Sequence, residues 1–571
     1  MKKFIYYIGI LALCFLPAAC SLEEESSTEV EKNKYLNDAK EAQDVYRSTI
    51  EEGMYGYHLS IYFSMGTDIS QVEGSTTENF RILPTNAYSA SQAEVQTSWA
   101  SLYTGIYNAN DFLERISVKM DSYNESDKQL ATIYIAEARA LRALYYFELV
   151  RRWGNIPLMT STAMSNQHPS TFVQADPVDV YKLIEEDLLY ACDILPYAKD
   201  DTYRSSNDYR FSKGAALGLL AKVYATWAGY PIQDTSKWEA AAKTARILVE
   251  SGKHDLLNDY EQLWKNTCNG IWDPTESLIE ISFYSPTYSG NSDPVGRIGK
   301  WNGVKTTVDA GRSGSTAANV QVVHSFVLDW REEAKPDEIT GISPDRRQNL
   351  SIANYKHGHN DSKTGAVYLD DYYLAASIPN DNTATALSKD LDPEKSQKAK
   401  QTYTPAKWDI DKYMESIPFI NNDKSTVNWY VLRYADVLLL YAEALNEWKG
   451  GPTTEAYAAI NKVRKRGYTK ADGTINKDYS LKEGLDQTAF REAVHKERAY
   501  ELAFEGHRRL DLVRWGVYYE TVQNTYNALK NWWSSANYVV YDYTEKGKHE
   551  LMPIPQREMD LCTQFKQNPG W

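Results

Sequence analysis

Apolar residues recur at spacings of three and four along much of the chain. In residues 97–118, Trp99, Leu102, Ile106, Ala109 and Leu113 fall on one stripe, which predicts a helix and assigns Trp99 to its core face. Residues 128–153 carry a longer stripe of Ala136, Ala140, Ala143, Phe147 and Val150. Small alanines let a second helix approach closely. Gly154 and Pro157 end this element. Helices are also predicted over 38–53, 177–195 (with Asp176-Pro177 as cap and first residue), 212–229 and 236–251. Near the C-terminus, Leu438, Tyr441, Leu445 and Trp448 line one helix face, and 453–466 and 488–515 give two more. Paired helices of this length predict a mainly α chain built as a tetratricopeptide-like helical repeat scaffold, although the strict repeat signature of about 34 residues is absent.

Residues 285–425 lose this periodicity and fill with Gly, Ser, Thr, Asn and Asp, as in Ser289-Gly290-Asn291-Ser292-Asp293-Pro294. A short strand is expected at Leu278–Phe283. A long irregular segment inside a folded chain is usually functional or disordered. Its aromatics (Trp301, Trp330, Tyr355, Tyr368, Tyr372, Tyr373 and Trp408) favour function, because disordered stretches are aromatic-poor. Trp330 follows Val322, Val323, Phe326 and Val327, so a core role is open for it. The expected organisation is a first part of the scaffold over 38–284, an irregular loop-rich ligand-binding lobe inserted at 285–425, and a second part with a C-terminal tail over 426–571.

Composition sharpens this picture. The chain of 571 residues has a formal net charge of −15, which makes nucleic acid an unfavourable partner. Tyr (43) far exceeds Phe (14), and tyrosine suits wet binding surfaces as well as core edges. Five cysteines in this length exclude a disulfide scaffold, and the spacing of Cys192, Cys268 and Cys562 is not that of metal ligands.

The N-terminus reads as an address. Lys2 and Lys3 precede an apolar run from Phe4 to Leu16, followed by Pro17-Ala18-Ala19 and Cys20. This order resembles a bacterial lipoprotein signal over 1–19 with Cys20 as the lipidated residue, although Leu16 lies four positions before the cysteine instead of three. Removing 1–19 takes away Lys2 and Lys3 and no acid, leaving −17. Residues 20–37 form an acidic tether, opening with Ser21-Leu22-Glu23-Glu24-Glu25, and this run resembles the surface-export signal of Bacteroidetes lipoproteins.

Candidate chemistry is sparse. Glu497, Glu501 and Glu505 repeat every four residues and would share a face of one continuous helix. Arg498, Arg508, Arg509 and Arg514 surround them, which reads as structural ion pairing with lowered carboxyl pKa values and not as general acid catalysis. His357-Gly358-His359 is the tightest histidine pair, and a solvated loop is its expected setting rather than a metal site. Nucleophile-elbow, P-loop and dinucleotide signatures are missing, so no cofactor and no enzymatic activity are expected.

The segment from Arg433-Tyr434-Ala435-Asp436 to Glu443-Ala444 resembles the signature helix of the SusD/RagB family. The likeness continues through Ile460–Gly467, through Glu497-Arg498 to Trp515-Gly516, and in Leu551-Met552-Pro553-Ile554-Pro555 and Gln567-Asn568-Pro569-Gly570-Trp571. Ala136-Glu137-Ala138-Arg139 matches upstream, and the likeness is weak across 285–425. It implies a nutrient-binding lipoprotein anchored at the outer membrane surface. Such a protein captures oligosaccharide or polysaccharide and passes it to a SusC-like TonB-dependent barrel. A peptide-binding RagB-like role is the alternative, and a glycoside hydrolase a further one. The repeats would face the barrel and the loops the ligand. Arg433, Asp436, Glu443, Glu501 and Arg508 would hold the fold.

The resemblance implies ligand residues in two places. The loop after the first helix offers Asp68, Glu73, Glu78 and Asn79, and the segment past mid-chain offers Tyr284, Tyr288, Trp301 and Asn302. A sugar stacks its C–H face on Trp or Tyr while carboxylates and amides take its hydroxyls. Trp301 sits among turn-forming residues, where a core role is hard to arrange, and is the leading candidate.

Overall fold

The computed structural model describes residues 43–204, 208–283, 296–306, 315–337, 342–360, 363–368, 397–398, 400–415 and 423–571. The apolar stripes become helices at nearly the predicted positions: α1 Ala93–Lys119, α2 Glu125–Trp153, α3 Pro177–Ile194, α4 Lys213–Trp227 and α5 Lys237–Glu250. Helices α6 Tyr260–Cys268 and α7 His324–Glu333 lie in the middle of the chain. They are followed by α8 Tyr434–Lys449, α9 Thr454–Gly467, α10 Gln487–Glu501, α11 Arg508–Arg514 and α12 Tyr518–Trp532. Local chemistry sets their starts. The side chains of Asn124, Asp176, Ser212, Thr453 and Asp486 accept hydrogen bonds from the first-turn amides of α2, α3, α4, α9 and α10. Of the expected helix over 38–53, residues 38–42 lie outside the described residues, and the rest forms a short helix, Gln43–Arg47, that gives way to tighter and wider turns.

Successive helices pack side by side from α1 to α5, and α8 then packs against α5 and α4, followed by α9 and α10. The repeat array is therefore continuous in space but interrupted in sequence between α5 and α8. Trp99, Ala136, Ala140 and Ala143 are buried, as their stripes predict. At Gly105 the ring of Tyr145 would lie 2.7 Å from a Cβ, so only glycine lets α1 and α2 approach this closely. The expected strand forms as Ser277–Ile281 and pairs antiparallel with Trp429–Arg433, bringing the two ends of the interruption together. Ser70–Val72 pairs with Val320–Val322, and Tyr355–Asn360 forms a hairpin with Lys363–Tyr368.

Most buried apolar residues in the described parts of 285–425 join the scaffold's core, Val323 joins a second cluster with C-terminal residues, and Val304, Ala353, Tyr355 and Ala406 form a small cluster of their own. Trp408 and Tyr355, read there as favouring function, are buried instead, and Trp330, for which a core role is open from sequence, is buried too. Trp330 is fully buried and stacks on Tyr500 at 4.6 Å, Trp408 is fully buried and stacks on Trp429 at 5.2 Å, and Tyr355 donates its hydroxyl to Asp409 at 2.7 Å. Tyr372 and Tyr373 lie outside the described residues. His357 belongs to a strand and not to a solvated loop, and its Nε2 lies 2.9 Å from Asp409.

The continuous helix expected over 488–515 is also corrected. It stops at Glu501, and the chain turns through Phe504 (φ 67°) and Gly506 (φ 82°) before α11 begins at Arg508. The three glutamates still meet one set of cations. Arg433 bonds Glu276, Glu501 and Glu505 at 2.6, 3.1 and 2.7 Å. Arg347 bonds Glu497 and Glu501, Arg464 bonds Glu497, Arg466 bonds Glu276 and Glu501, and Lys407 bonds Glu505. A second cluster joins Asp436 to Arg498 and Lys222, and Arg514 to Glu443 and Asp511. Burial alone would raise the Glu501 carboxyl. The cations Arg466, Arg433, Arg347 and Lys407 overcome that and hold it at about 2. Glu443 is likewise held at about 2 against burial by Arg514.

Replacing Glu501 by Gln keeps the side-chain shape and leaves buried cations short of charge. Unfolding free energy should fall by about 3–5 kcal/mol, the scale of breaking a buried pair, as read by urea denaturation. Both Glu501 and Glu443 titrate at about 2 when folded, against an ordinary value of 4.5. Their contribution is complete above pH 4.5 and is lost as pH falls toward 2, so the urea midpoint should drop across that interval.

Candidate functional site

The two loops proposed from sequence do meet. Glu73 N–H donates to the carbonyl of Asn319 at 2.8 Å, and Asn319 N–H donates to the carbonyl of Trp301 at 2.6 Å. With the pairing of Ser70–Val72 to Val320–Val322, these bonds fix the 68–81 loop beside the 300–320 segment. The loop then folds back. Arg81 Nε donates to the Glu73 carbonyl at 2.6 Å, and Asn79 takes the left-handed conformation (φ 54°) that aims the next residue, Phe80. Glu78 and Asn79 are exposed on either side of this turn.

Trp301 is half-buried, and three rings meet it edge-on. Tyr57 lies at 4.8 Å and 71°, Phe80 at 5.5 Å and 87°, and Tyr62 at 6.1 Å and 88°. Each such contact is worth about 0.5–1.5 kcal/mol beyond burial. The Arg297 guanidinium caps the group, 4.3 Å from the Tyr57 ring centre and 5.1 Å from that of Trp301. The indole Nε1 donates to Asp423 at 2.7 Å. Arg297 in turn pairs with Glu52 at 2.6 Å and with Asp423 at 3.5 Å. The Glu52 and Asp423 side chains are 61% and 48% exposed, so they line the aromatic group while facing solvent. Burial pushes the Tyr57 phenol far above its usual range, so it stays neutral. Trp301 therefore packs on the main core, which corrects the expectation that a core role is hard to arrange for it.

Other sequence candidates are placed differently. Asp68 makes a two-pronged pair with Arg508 at 2.9 and 2.6 Å, so it is bound to one of the residues expected to hold the fold. Asn302 is 3% exposed and its side-chain oxygen accepts from Gly299 N–H at 2.7 Å, closing the turn beneath Trp301. Tyr284 and Tyr288 lie outside the described residues. Sequence reasoning did not find Tyr57, Phe80, Arg297 or Asp423. Phe80 and Arg297 were legible in principle, one beside Asn79 and the other one helical turn before Trp301. Asp423 is 122 positions from Trp301, and nothing local signals the pairing.

Chemically the surface offers an apolar aromatic edge ringed by exposed carboxylates that accept hydrogen bonds. Each of Glu497, Glu501 and Glu505 is engaged by guanidinium or ammonium groups, in line with the structural role expected for them.

Comparison with known proteins agrees with this architecture. The model of the SusD family matches residues 275–571, and a model described as starch-binding associating with outer membrane matches residues 22–225. SusD-like protein P25 of Formosa agariphila is 24% identical over 98% of this chain and 97% of its own length. The crystal structure of a SusD homolog from Bacteroides thetaiotaomicron is 66% identical, covers 96% of this chain and 100% of that one, and superposes with a TM-score of 0.86. A laminarin-binding SusD-like protein shares the fold at 24% identity and a TM-score of 0.64, covering 93% of this chain and 99% of its own. With more than half its length matched by the family model and a helical array of the same architecture, the chain belongs to the SusD family.

Proposed function

We propose that this protein binds glycan at the surface built around Trp301 and delivers it to a SusC-like TonB-dependent barrel in the outer membrane. The observation that carries the reading is the aromatic group of Trp301, Phe80 and Tyr57 with Asp423 and Glu52 at its solvent rim. A pyranose presents C–H groups on its faces and hydroxyls around its edge, and this arrangement meets both. The names of related proteins support the ligand class: one family model is described as starch-binding, and one solved neighbour as laminarin-binding. Glu78 and Asn79, exposed beside Phe80, are the further contacts; Tyr284 and Tyr288 remain proposals from sequence. Asp68 and Asn302 act at one remove, by holding the two loops.

The protein holds no catalytic role in this reading. Cys20 carries the lipid, the acidic tether of 20–37 leads the chain to the cell surface, and the repeat helices face the barrel. Two acyl chains or more give stable attachment without a spanning helix.

Changing Trp301 to Ala should weaken binding of a cognate polysaccharide by about 2 kcal/mol or more, the scale of an interface hot spot. Because the ring also packs on the core, some stability should be lost too, about 3 kcal/mol at most for a half-buried aromatic. Calorimetric binding at a temperature where both proteins are folded separates the effects, and unaltered affinity would refute the assignment.

Changing Cys20 to Ala should release the protein from the membrane fraction. Wild-type protein extracted gently from native outer membrane should bring down a large β-barrel, while the released variant should not. Recovery of wild type alone under the same conditions counts against the transporter partnership.

A further inference from the structure

The charges around Trp301 narrow the ligand class, an inference that rests on the glycan-binding reading of this surface. Acidic sugars are recognised by guanidinium groups that are available to form two-pronged bonds with a carboxylate or sulfate. Here the two arginines at the aromatic group are already engaged. Arg297 is taken by Glu52 and Asp423, at 2.6 and 3.5 Å. Arg81 sits 4.2 Å over the Phe80 ring, with its Nε on the Glu73 carbonyl and its terminal nitrogen 3.7 Å from the Glu73 carboxylate. Of the neighbouring lysines, Lys300 is directed inward and Lys305 is exposed. Lys300 is 2% exposed with its Nζ toward the Ser315 carbonyl, and the Lys305 Nζ donates to the Ala317 carbonyl at 2.9 Å.

The carboxylates sit farther out than the two arginines they pair with. The Glu52 and Asp423 side chains are 61% and 48% exposed, against 19% for Arg297. The Glu73 side chain is 35% exposed against 20% for Arg81, and Glu78 is exposed next to Phe80. Counting Lys424, next in sequence to Asp423, and the exposed Lys305, the described charges around the rings balance at four cations, Arg81, Arg297, Lys305 and Lys424, and four carboxylates, Glu52, Glu73, Glu78 and Asp423, with both arginines deeper than their carboxylate partners. The chain as a whole carries −15, so its long-range field opposes the approach of a polyanion. A neutral sugar gains acceptors for its hydroxyls here. A uronate or sulfate brought to the same rings meets carboxylates at the rim and displaces an existing ion pair before it reaches a guanidinium.

We infer that the ligand of this surface is a neutral glycan and that polymers carrying a carboxylate or sulfate on each repeat are discriminated against. The test is affinity electrophoresis of the full chain in detergent. The neutral probes are laminarin, xyloglucan, amylopectin and galactomannan, each paired with its carboxymethyl derivative. The acidic probes are polygalacturonate, alginate and chondroitin sulfate. At least one neutral polymer should retard the protein, and carboxymethylation of that polymer should weaken binding about tenfold or more at about 20 mM salt. The penalty should shrink at about 300 mM, where screening shortens the reach of the rim charges. Glu78→Gln, an exposed change with no packing role, should narrow the gap between the neutral polymer and its derivative. Tighter binding of an acidic polymer, or a carboxymethyl derivative bound as well as its parent at low salt, overturns the inference. In that case loss of the interaction in Trp301→Ala leaves the glycan site standing. Retardation by none of the probes overturns both readings together.

Discussion

The structure depends on a buried junction of charge centred on Arg433. Its guanidinium binds Glu276, Glu501 and Glu505, and those carboxylates are shared with Arg466, Arg347 and Lys407. Arg433, Glu276 and Glu501 are at most 1% exposed. Charges so fully removed from water persist only when each is matched, because losing one partner strands another in a low-dielectric interior. The junction is therefore close to an all-or-none unit, and it is built from parts of the chain far apart in sequence. Glu276, Arg347 and Lys407 lie within the interruption of the helical array, Glu276 just before its first closing strand, Arg433 ends it, and Arg466 and Glu501 belong to helices after it.

That placement explains how an array of helices accepts more than 150 intervening residues between α5 and α8 without losing its spatial order. The strand pair of Ser277–Ile281 with Trp429–Arg433 brings the two ends of the interruption together. The ion pairs then tie the same ends to α9 and α10, and Arg347 and Lys407 draw the interior of the interruption onto α10 and the turn that follows it. Apolar burial gives the chain its driving force but is not directional. The guanidinium forks supply the direction, and they fix which surface of the intervening segment faces solvent.

The helices were legible because their period is local: the stripe containing Ala136, Ala140 and Ala143 predicts both an element and its close neighbour. The end of α10 was not, because the spacing of Glu497, Glu501 and Glu505 satisfies a helical face, while the turn is set by positive φ at Phe504 and Gly506. All three glutamates serve the same cations whether or not the helix continues, so charge pattern could not reveal the break. Aromatics in the irregular segment misled for a related reason. Trp408 lacks periodic neighbours, yet it buries against Trp429, while the apolar positions before Trp330 left a core role open for it and it buries against Tyr500. Trp301 was singled out by composition, without its surroundings. Its neighbours Tyr57, Phe80 and Asp423 come from three separate segments, and only the folded chain assembles them.

The surface around Trp301 owes its order to the scaffold as much as to its own residues. Both backbone groups of Trp301 are bonded, its amide to the Arg297 carbonyl at 3.0 Å and its carbonyl to Asn319. Its ring is held by three edge contacts, and its one polar atom is committed to Asp423. A ligand that settles on this ring does not have to immobilise it, so little side-chain entropy is given up on binding. The same bonds make Asp423 a positioning group as well as a rim acceptor: moving it would release the indole and unpair part of Arg297. The rigidity of this surface thus follows from β-pairing and packed rings, and of its exposed carboxylates Asp423 and Glu52 are tied into that packing through Trp301 and Arg297.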